Sequence, residues 1–477
     1  MDNIKEISLG INDHAKNTSD FKFDLEAFEE FLIVSVFSVC IALLHYTLQV
    51  DLNVYFLSYM IVFGYVFYIC LIKYKSIMSL KSLFLLGNLF VFSIPIIYIG
   101  FFYSGDWVSY KYSPVSINSN ELAYISFVIL TGISGFLFGY SLPVRKNKTS
   151  RSTLKSKYVT LILILVTVSF VMIAYRRYEL IKFVSMYGFD AIYNRGFNTS
   201  FISSILAYLF FIFSPILYLM SNSKKVKGFV VFLILSEAFL HGIAGQRVWI
   251  FMGGIQVLYL MSIDTQRIKN RNVLDRIKLL IMLLISGVLG IYLMSALLFY
   301  REGLEFDPFN VSLMDYFIGQ FGTIVGLKIA IGNFDYVYGS IIPPIFDTLN
   351  VFRPVNQDVV NELTTNIGTR VTNIYCGNCL AEGKSYGSSI YMQLYQFKFI
   401  GVFIGTTILG YFASLIDTNK STVFIYTLIG FFMVKHYVWL PRGEYFPHYI
   451  SIVSIIVGVL SCFILSKIYV WRNNENQ

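Results

Sequence analysis

Basic residues stand beside the ends of long apolar segments, where their charge could bind an anion. Five arginines share this position: Arg176, Arg177, Arg247, Arg301 and Arg442. A guanidinium is always charged and offers planar donors that match phosphate oxygens. The set therefore predicts a site for an anionic headgroup such as a lipid pyrophosphate. The alternative for each arginine is that it anchors a helix end or pairs with a local carboxylate.

Arg247 has the sharpest local pattern of the five. It ends the segment GIAGQR at positions 242 to 247, a tight turn between two apolar segments. Glycines permit close backbone approach, and the amides that begin the next helix favour negative charge. We expect an anion site at this turn. The alternative is an ordinary interfacial arginine ahead of Trp249, an aromatic residue typical of membrane boundaries.

A second motif, PRGEYFPH at positions 441 to 448, places an arginine, a carboxylate and an imidazole in one short turn. Arg442 could stabilise a leaving group, and Glu444 or His448 could take a proton from a hydroxyl. Glu444 and His448 are therefore the predicted catalytic residues, either of which could be the base. The alternative is a salt bridge between Arg442 and Glu444 beside a structural histidine.

The segment from 301 to 390 is rich in tyrosine and asparagine, side chains that suit a hydroxyl-rich ligand. Ring faces pack on sugar C–H surfaces, and polar side chains match hydroxyl groups. The predicted sugar-binding residues are Tyr336, Tyr338, Tyr386 and Asp315. Solvated loops favour the same residue types, which is the alternative interpretation.

Several kinds of site have no motif in the sequence. It contains no phosphate-binding glycine loop, dinucleotide fingerprint, nucleophile elbow or clustered metal ligands. Cys376 and Cys379 form a lone C-x-x-C pair, which favours a short disulfide or plain thiols over zinc. We expect no cofactor, no metal ion and no nucleic-acid partner.

The composition determines the kind of element that carries these residues. The chain has 477 residues, of which 56% are hydrophobic and only 14% charged. Soluble proteins carry about 25% charged residues, so this chain has too few charged residues to cover a surface that faces water. The sequence predicts an all-α, polytopic integral membrane protein with one large extracytoplasmic loop. His241 and His436 lie inside its apolar segments, where a histidine usually bonds across helices.

About twelve apolar stretches are long enough to cross a bilayer. They are residues 30 to 49, 53 to 72, 82 to 102, 121 to 141, 158 to 175, 201 to 221, 228 to 244, 248 to 263, 279 to 300, 396 to 416, 421 to 440 and 447 to 469. Pro95 and Pro215 lie inside two of them and should kink the helix, which leaves carbonyls that need other partners.

Lysine and arginine clusters fall on alternate connections, which the positive-inside rule assigns to the cytoplasm. The predicted organisation is a cytoplasmic segment (1–29) without a cleaved signal, nine membrane helices (30–300), an extracytoplasmic loop with interfacial helices (301–390), three membrane helices (391–470) and a cytoplasmic tail (471–477). Residues 311 to 332 could span but carry three polar or charged side chains, so we predict an interfacial or re-entrant pair. If they did span, everything after them would change sides.

Three segments resemble a known family. They are GQRVWIF at 245 to 251, YGSSIYMQLYQFKFIGVFIG at 386 to 405 and PRGEY at 441 to 445, in a chain with a large outer loop before its tenth predicted span. Together they resemble bacterial O-antigen polymerases of the Wzy type. The related O-antigen ligases share the general plan.

The resemblance implies a metal-independent glycosyltransferase of the bacterial inner membrane with its active site facing the periplasm. Such enzymes move a growing chain from a polyprenyl pyrophosphate onto a new lipid-linked repeat unit. Donor and acceptor are thus the expected partners, with membrane lipid and a chain-length regulator as further ones. Arg247 and Arg442 match the motif arginines, and His448 is the nearest counterpart of a ligase histidine. A flippase for the same lipid-linked oligosaccharide, or a ligase, is the alternative.

Overall fold

The structure is a computed structural model that describes part of the chain. The described ranges are 21–46, 52–69, 78–103, 107–109, 115–146, 156–187, 201–244, 248–265, 296, 322–338, 367–375, 386–420, 424–443 and 452–461. Helices dominate these ranges, which confirms the predicted all-α class. Two short antiparallel ladders also occur: β1 (Phe21–Lys22) pairs with β4 (Val144–Arg145), and β2 (Trp107–Ser109) pairs with β3 (Val115–Ile117).

The long described helices lie on predicted apolar stretches, and shorter helices occur within the predicted loop from 301 to 390. They are α1 (Leu25–Tyr46), α2 (Leu52–Tyr68), α3 (Leu80–Asn88), α4 (Ile94–Phe102), α5 (Ser119–Ser141), α6 (Ser156–Tyr187), α7 (Phe201–Met220), α8 (Lys224–Ile243), α9 (Val248–Thr265), α10 (Gly322–Gly332), α11 (Phe334–Tyr338), α12 (Ile367–Tyr375), α13 (Ile390–Leu394), α14 (Lys398–Asn419), α15 (Phe424–Trp439) and α16 (Ile452–Ser461). A π-helical turn (Leu89–Ser93) joins α3 to α4, and 3₁₀ turns follow α13 and α15.

Six helical segments among the described residues are long and apolar enough to cross a membrane. They are Leu80–Phe102, Ser119–Ser141, Val159–Tyr187, Lys224–Ile243, Ile390–Asn419 and Phe424–Arg442. The chain is therefore a polytopic membrane protein, as predicted. The predicted span at 279 to 300 lies, apart from residue 296, outside the described residues, so the count of twelve stays a prediction.

Small residues bring α5 and α14 into close contact. Gly135 and Gly139 are four residues apart on α5, the spacing that lets membrane helices approach backbone to backbone. A methyl group at Gly135 would lie 2.5 Å from the Phe403 carbonyl oxygen of α14. The Thr407 hydroxyl uses this proximity, because it donates a hydrogen bond to the Gly135 carbonyl at 3.1 Å. This pair forms the centre of the described helix packing.

The π-helical turn precedes Pro95, the proline that the sequence analysis expected to disturb a helix. The pattern of hydrogen bonds changes here, because the Ile94 amide donates to the Leu89 carbonyl five residues earlier. The Ser93 hydroxyl donates to the Asn88 carbonyl at 3.2 Å. A widened turn thus satisfies carbonyls near the proline within the helix itself.

Asp417, near the end of α14, ties three helix ends together. Its carboxylate accepts from the Leu80 amide of α3 at 2.8 Å and from the Tyr140 hydroxyl of α5 at 3.2 Å. Lys420 donates to it at 2.7 Å. A helix start is a favourable place for a carboxylate, since the first amides lack partners within the helix. We call these four residues the Asp417 network.

A buried ion pair connects α1 to the same group of helix ends. Lys81 Nζ lies 3.1 Å from Glu30 Oε2, and both side chains are fully buried. Lys81 also lies over the Tyr140 ring, with Nζ 4.7 Å from the centroid. The positions of the lysine and arginine clusters in the sequence predict that these ends face the cytoplasm.

The segment 311 to 332 had two predicted arrangements, spanning or interfacial. Its second half forms α10, whose eleven residues extend about 16 Å, half the thickness of a bilayer core. Most of α10 is buried against other helices and is not spread on an interface. Residues 311 to 321 lie outside the described residues, so the choice between the arrangements stays a prediction.

Candidate functional site

Helix α6 places two of the predicted arginines beyond the apolar part of the helix. The apolar stretch ends near residue 175, but α6 continues to Tyr187 and has 32 residues, or about 48 Å. Arg176 and Arg177 therefore stand on a rigid helix, where the sequence analysis expected a connection after a span. Because adjacent helical residues point about 100° apart, the two arginines face different surroundings.

Arg177 faces α8 and binds two of its side chains. Its Nη2 donates to Glu237 Oε1 at 3.2 Å and lies 2.9 Å from His241 Nδ1. Glu237 and His241 are one turn apart, and His241 Nδ1 lies 3.4 Å from Glu237 Oε1. The Nε of Arg177 is buried and has no hydrogen-bond partner in the described part of the chain. Arg177 thus keeps a donor that no described side chain uses.

Two further helices complete the group around His241. The imidazole of His241 stacks on the indole of Trp249, at the start of α9, with centroids 4.6 Å apart and planes 12° apart. Lys435 of α15 lies over the same indole, with Nζ 4.9 Å from the centroid. We call these five residues, Arg177, Glu237, His241, Trp249 and Lys435, the Arg177 cluster. It joins α6, α8, α9 and α15.

The Arg177 cluster carries more positive than negative groups. Glu237 is 3% exposed and provides its one carboxylate, whereas Arg177 and Lys435 are both basic. Lys435 contacts no carboxylate within 4 Å among the described residues. An uncompensated cation at a partly buried site is costly unless an anion accompanies it. The arrangement therefore favours binding of a negatively charged group.

Arg442 lies at the same end of α15 as Lys435. Lys435, Trp439 and Arg442 are spaced by four and three residues, which brings them to one side of the helix end. The Arg442 guanidinium lies over the Trp439 indole, 5.6 Å from its centroid. Arg442 therefore lies about two helical turns beyond Lys435, and its predicted role at the pyrophosphate stays a prediction.

Several predicted site residues fall outside the described residues. They are Arg247, Arg301, Glu444, His448 and Asp315, together with the cysteine pair Cys376 and Cys379. Their roles stay predictions. Trp249, predicted as a boundary aromatic beside Arg247, packs against His241 inside the cluster, and its position at a membrane boundary stays a prediction. Arg176 lies next to Arg177 and is half-buried.

The three described tyrosines of the predicted sugar site lie in different surroundings. Tyr336 is 66% exposed and could receive a ligand, whereas Tyr386 is 1% exposed. The Tyr338 hydroxyl donates to the Met392 carbonyl at 2.6 Å, and burial raises the pKa of Tyr338 well above its ordinary value. Tyr338 therefore remains a protonated donor that holds α11 to α13. Of these three tyrosines, only Tyr336 has an exposed ring, and its role in sugar binding stays a prediction.

Three members of the Arg177 cluster are not among the site residues that the sequence predicts. Glu237 and Lys435 were not singled out, and His241 was interpreted as an ordinary histidine bonded across helices, which its contact with Arg177 supports. A signal did exist, because a charged residue inside an apolar stretch is expensive and usually has a specific partner or role. The distance of 60 residues between Arg177 and Glu237 hides the partnership itself.

Comparison with known proteins identifies the family. The family model for O-antigen polysaccharide polymerase Wzy matches residues 30–473, nearly the whole chain. No curated protein and no solved structure gives a significant match. No group of three or more metal-ligating side chains occurs among the described residues. The match extends the resemblance from three short segments to the full set of helices, and the chain belongs to the O-antigen polymerase (Wzy) family of membrane glycosyltransferases that polymerise lipid-linked repeat units.

Proposed function

We propose that the Arg177 cluster is the place where this polymerase binds the pyrophosphate of its lipid-linked donor. The observation that carries the proposal is the pairing of Arg177, which has a buried Nε without a described partner, with a cluster that has two basic groups for one carboxylate. A pyrophosphate supplies the missing negative charge and accepts the unused hydrogen bond.

The chemistry of glycosyl transfer makes such a site useful. An acceptor hydroxyl attacks the anomeric carbon of the donor, and the bond to the pyrophosphate breaks with its electron pair on the phosphate oxygen. Fixed cations near that oxygen stabilise the charge that develops in the transition state. Arg177 and Lys435 are preorganised for this task, because the Glu237 and Trp249 contacts hold them in place.

The position of the cluster suits a lipid substrate. Arg177 lies beyond the apolar stretch of α6, at the boundary where a lipid headgroup would meet water. We propose that this end faces the periplasm, the side opposite to the lysine and arginine clusters of the sequence. The lipid is then a polyprenyl carrier in the inner membrane. A chain-length regulator as partner rests on the family resemblance alone.

The experiment is an O-antigen ladder from cells that carry variants in place of the intact gene. Arg177→Ala should reduce the ladder to single repeat units, because one buried cation of the pyrophosphate site is lost. Arg177→Lys keeps the charge but not the planar pair of donors, so we expect only partial chain growth. Protein level in the membrane is measured alongside.

Lys182→Ala is the matched control, since it removes one exposed positive charge from the same helix. Its ladder should be normal. A normal ladder with Arg177→Ala at normal protein level would show that the pyrophosphate binds elsewhere.

A further inference from the structure

Glu237 is the carboxylate of the Arg177 cluster, and its second oxygen is not used by the described residues. Oε1 binds Arg177 and lies near His241, whereas no described side chain or amide donates to Oε2. The side chain is nevertheless buried inside a span, where a carboxylate is expensive. A carboxylate bound through one oxygen, whose other oxygen receives no hydrogen bond from the described residues, has the form of a proton acceptor.

Building on the proposed pyrophosphate site, we infer that Glu237 accepts the proton of the acceptor hydroxyl during glycosyl transfer. In this step the hydroxyl oxygen bonds to the anomeric carbon and its proton moves to Glu237 Oε2. The anomeric carbon loses its bond to the phosphate oxygen, which keeps the electron pair. Charge and atoms balance without a further reactant.

The pairing with Arg177 explains how the carboxylate becomes a base only when the donor is present. In the structure Arg177 neutralises Glu237 at 3.2 Å. A bound pyrophosphate competes for the same guanidinium and places negative charge near the carboxylate. A neighbouring anion favours the protonated form of a carboxyl group, so donor binding prepares Glu237 to take a proton.

His241 acts as a positioning residue for this pair. Arginine can only donate, so the 2.9 Å contact with Arg177 requires His241 Nδ1 to be the acceptor. The imidazole is then neutral with its proton on Nε2, and stacking on Trp249 fixes its plane. A neutral histidine adds no charge of its own to the cluster, so Arg177 is the cation in direct contact with Glu237 among the described residues.

The experiment uses the full-length polymerase in lipid nanodiscs, with undecaprenyl pyrophosphate as the binding probe and lipid-linked repeat units from a polymerase-deficient strain as substrate. Glu237→Gln keeps the shape and can still accept a hydrogen bond from Arg177, but it cannot take a proton. We expect kcat to fall by about 100-fold or more. The Kd for undecaprenyl pyrophosphate should stay within about threefold or tighten.

Glu179→Gln, an exposed carboxylate on α6, is the matched control and should leave both quantities unchanged. If Glu237→Gln does not elute as a single folded species, Glu237→Asp replaces it. That variant keeps a carboxylate, so we expect partial activity and a displaced acidic limb of the pH profile of kcat. An unchanged pH profile would count against Glu237.

The possible results separate this inference from the proposed function. Turnover by Glu237→Gln within tenfold of the parent would overturn the role of Glu237, as would equal losses of kcat and pyrophosphate binding. A parental Kd in Arg177→Ala would instead overturn the pyrophosphate site. If Glu444→Gln loses turnover while Glu237→Gln keeps it, the base lies in the turn from 441 to 448, and the inference is wrong.

Discussion

Substitution of Gly135 by alanine tests the close packing of α5 against α14. The added methyl would lie 2.5 Å from both the Phe403 carbonyl oxygen and the Thr406 hydroxyl oxygen, against about 3.4 Å for ordinary contact. The carbonyl belongs to the helix backbone, and the hydroxyl already donates to the Val402 carbonyl at 2.7 Å. Neither neighbour can turn away, so the helices must separate by about 0.9 Å.

Separation of about 0.9 Å along this contact should cost about 2–3 kcal/mol, the upper part of the range for overpacked sites. The hydrogen bond from Thr407 to the Gly135 carbonyl would lengthen as well. For a protein of 477 residues we expect the unfolding temperature to fall by about 2–3 °C. The measurement is thermal unfolding of the purified protein in one detergent, followed by intrinsic fluorescence.

Gly64→Ala is the matched control, because nothing lies within 4 Å of a methyl group at that position. Alanine also favours a helix by about 1 kcal/mol over glycine, so this variant should be as stable as the parent or more stable. Equal unfolding temperatures for Gly135→Ala and Gly64→Ala would refute the described approach of α5 and α14.

Two further predictions concern charged residues. Glu30→Gln should lower the free energy of unfolding by about 3 kcal/mol, because the buried ion pair with Lys81 is lost. The double variant Glu30→Gln with Lys81→Met should recover most of that loss in thermal unfolding. A double variant no more stable than Glu30→Gln would contradict the role given to the ion pair. Lys398, at the start of α14, has φ 56° and ψ −151°, a conformation that favours glycine. Lys398→Gly should therefore be more stable than Lys398→Ala by about 1–2 kcal/mol in thermal unfolding. The opposite order would show that the backbone there is not strained.

The positions of the helices could be predicted because hydropathy is a local property. Each apolar stretch of about 20 residues must form its own backbone hydrogen bonds in a bilayer, so helix is the only choice for a single segment. The end of α6 could not be predicted this way. Residues 176 to 187 are mixed in polarity and end the apolar signal, yet they contain no helix breaker and the helix continues. The π-helical turn ahead of Pro95 likewise depends on neighbouring carbonyls.

The candidate site was only partly predictable, since its residues come from four separate helices. Arg177 and Arg442 stand out in the sequence by residue type and by position at the end of an apolar stretch. Glu237 and Lys435 can be assigned to the site only once α6, α8 and α15 are known to meet. No local sequence pattern shows that these helices are in contact. The predicted tyrosine site groups residues whose surroundings differ, because composition cannot distinguish the exposed Tyr336 from the buried Tyr386.

If the Arg177 cluster binds the donor as proposed, the balance of charge distinguishes a structural network from a ligand site in this protein. The Asp417 network and the neighbouring Glu30 pair contain two lysines and two carboxylates, and the Arg177 cluster contains two basic residues and one carboxylate. A balanced group needs nothing further, so neutral replacement of both partners should preserve activity. On the proposed function, the bound pyrophosphate balances the extra positive charge that the described residues of the Arg177 cluster carry.

This distinction gives a paired test. Asp417→Asn with Lys420→Gln keeps the acceptor for the Leu80 amide and removes one charge of each sign, so we expect a normal O-antigen ladder. Arg177→Gln with Glu237→Gln makes the same kind of neutral exchange in the Arg177 cluster, yet it should abolish chain growth at unchanged protein level. If both double variants gave normal ladders, the Arg177 cluster would be a structural tie like the other, and charge balance would not identify the site.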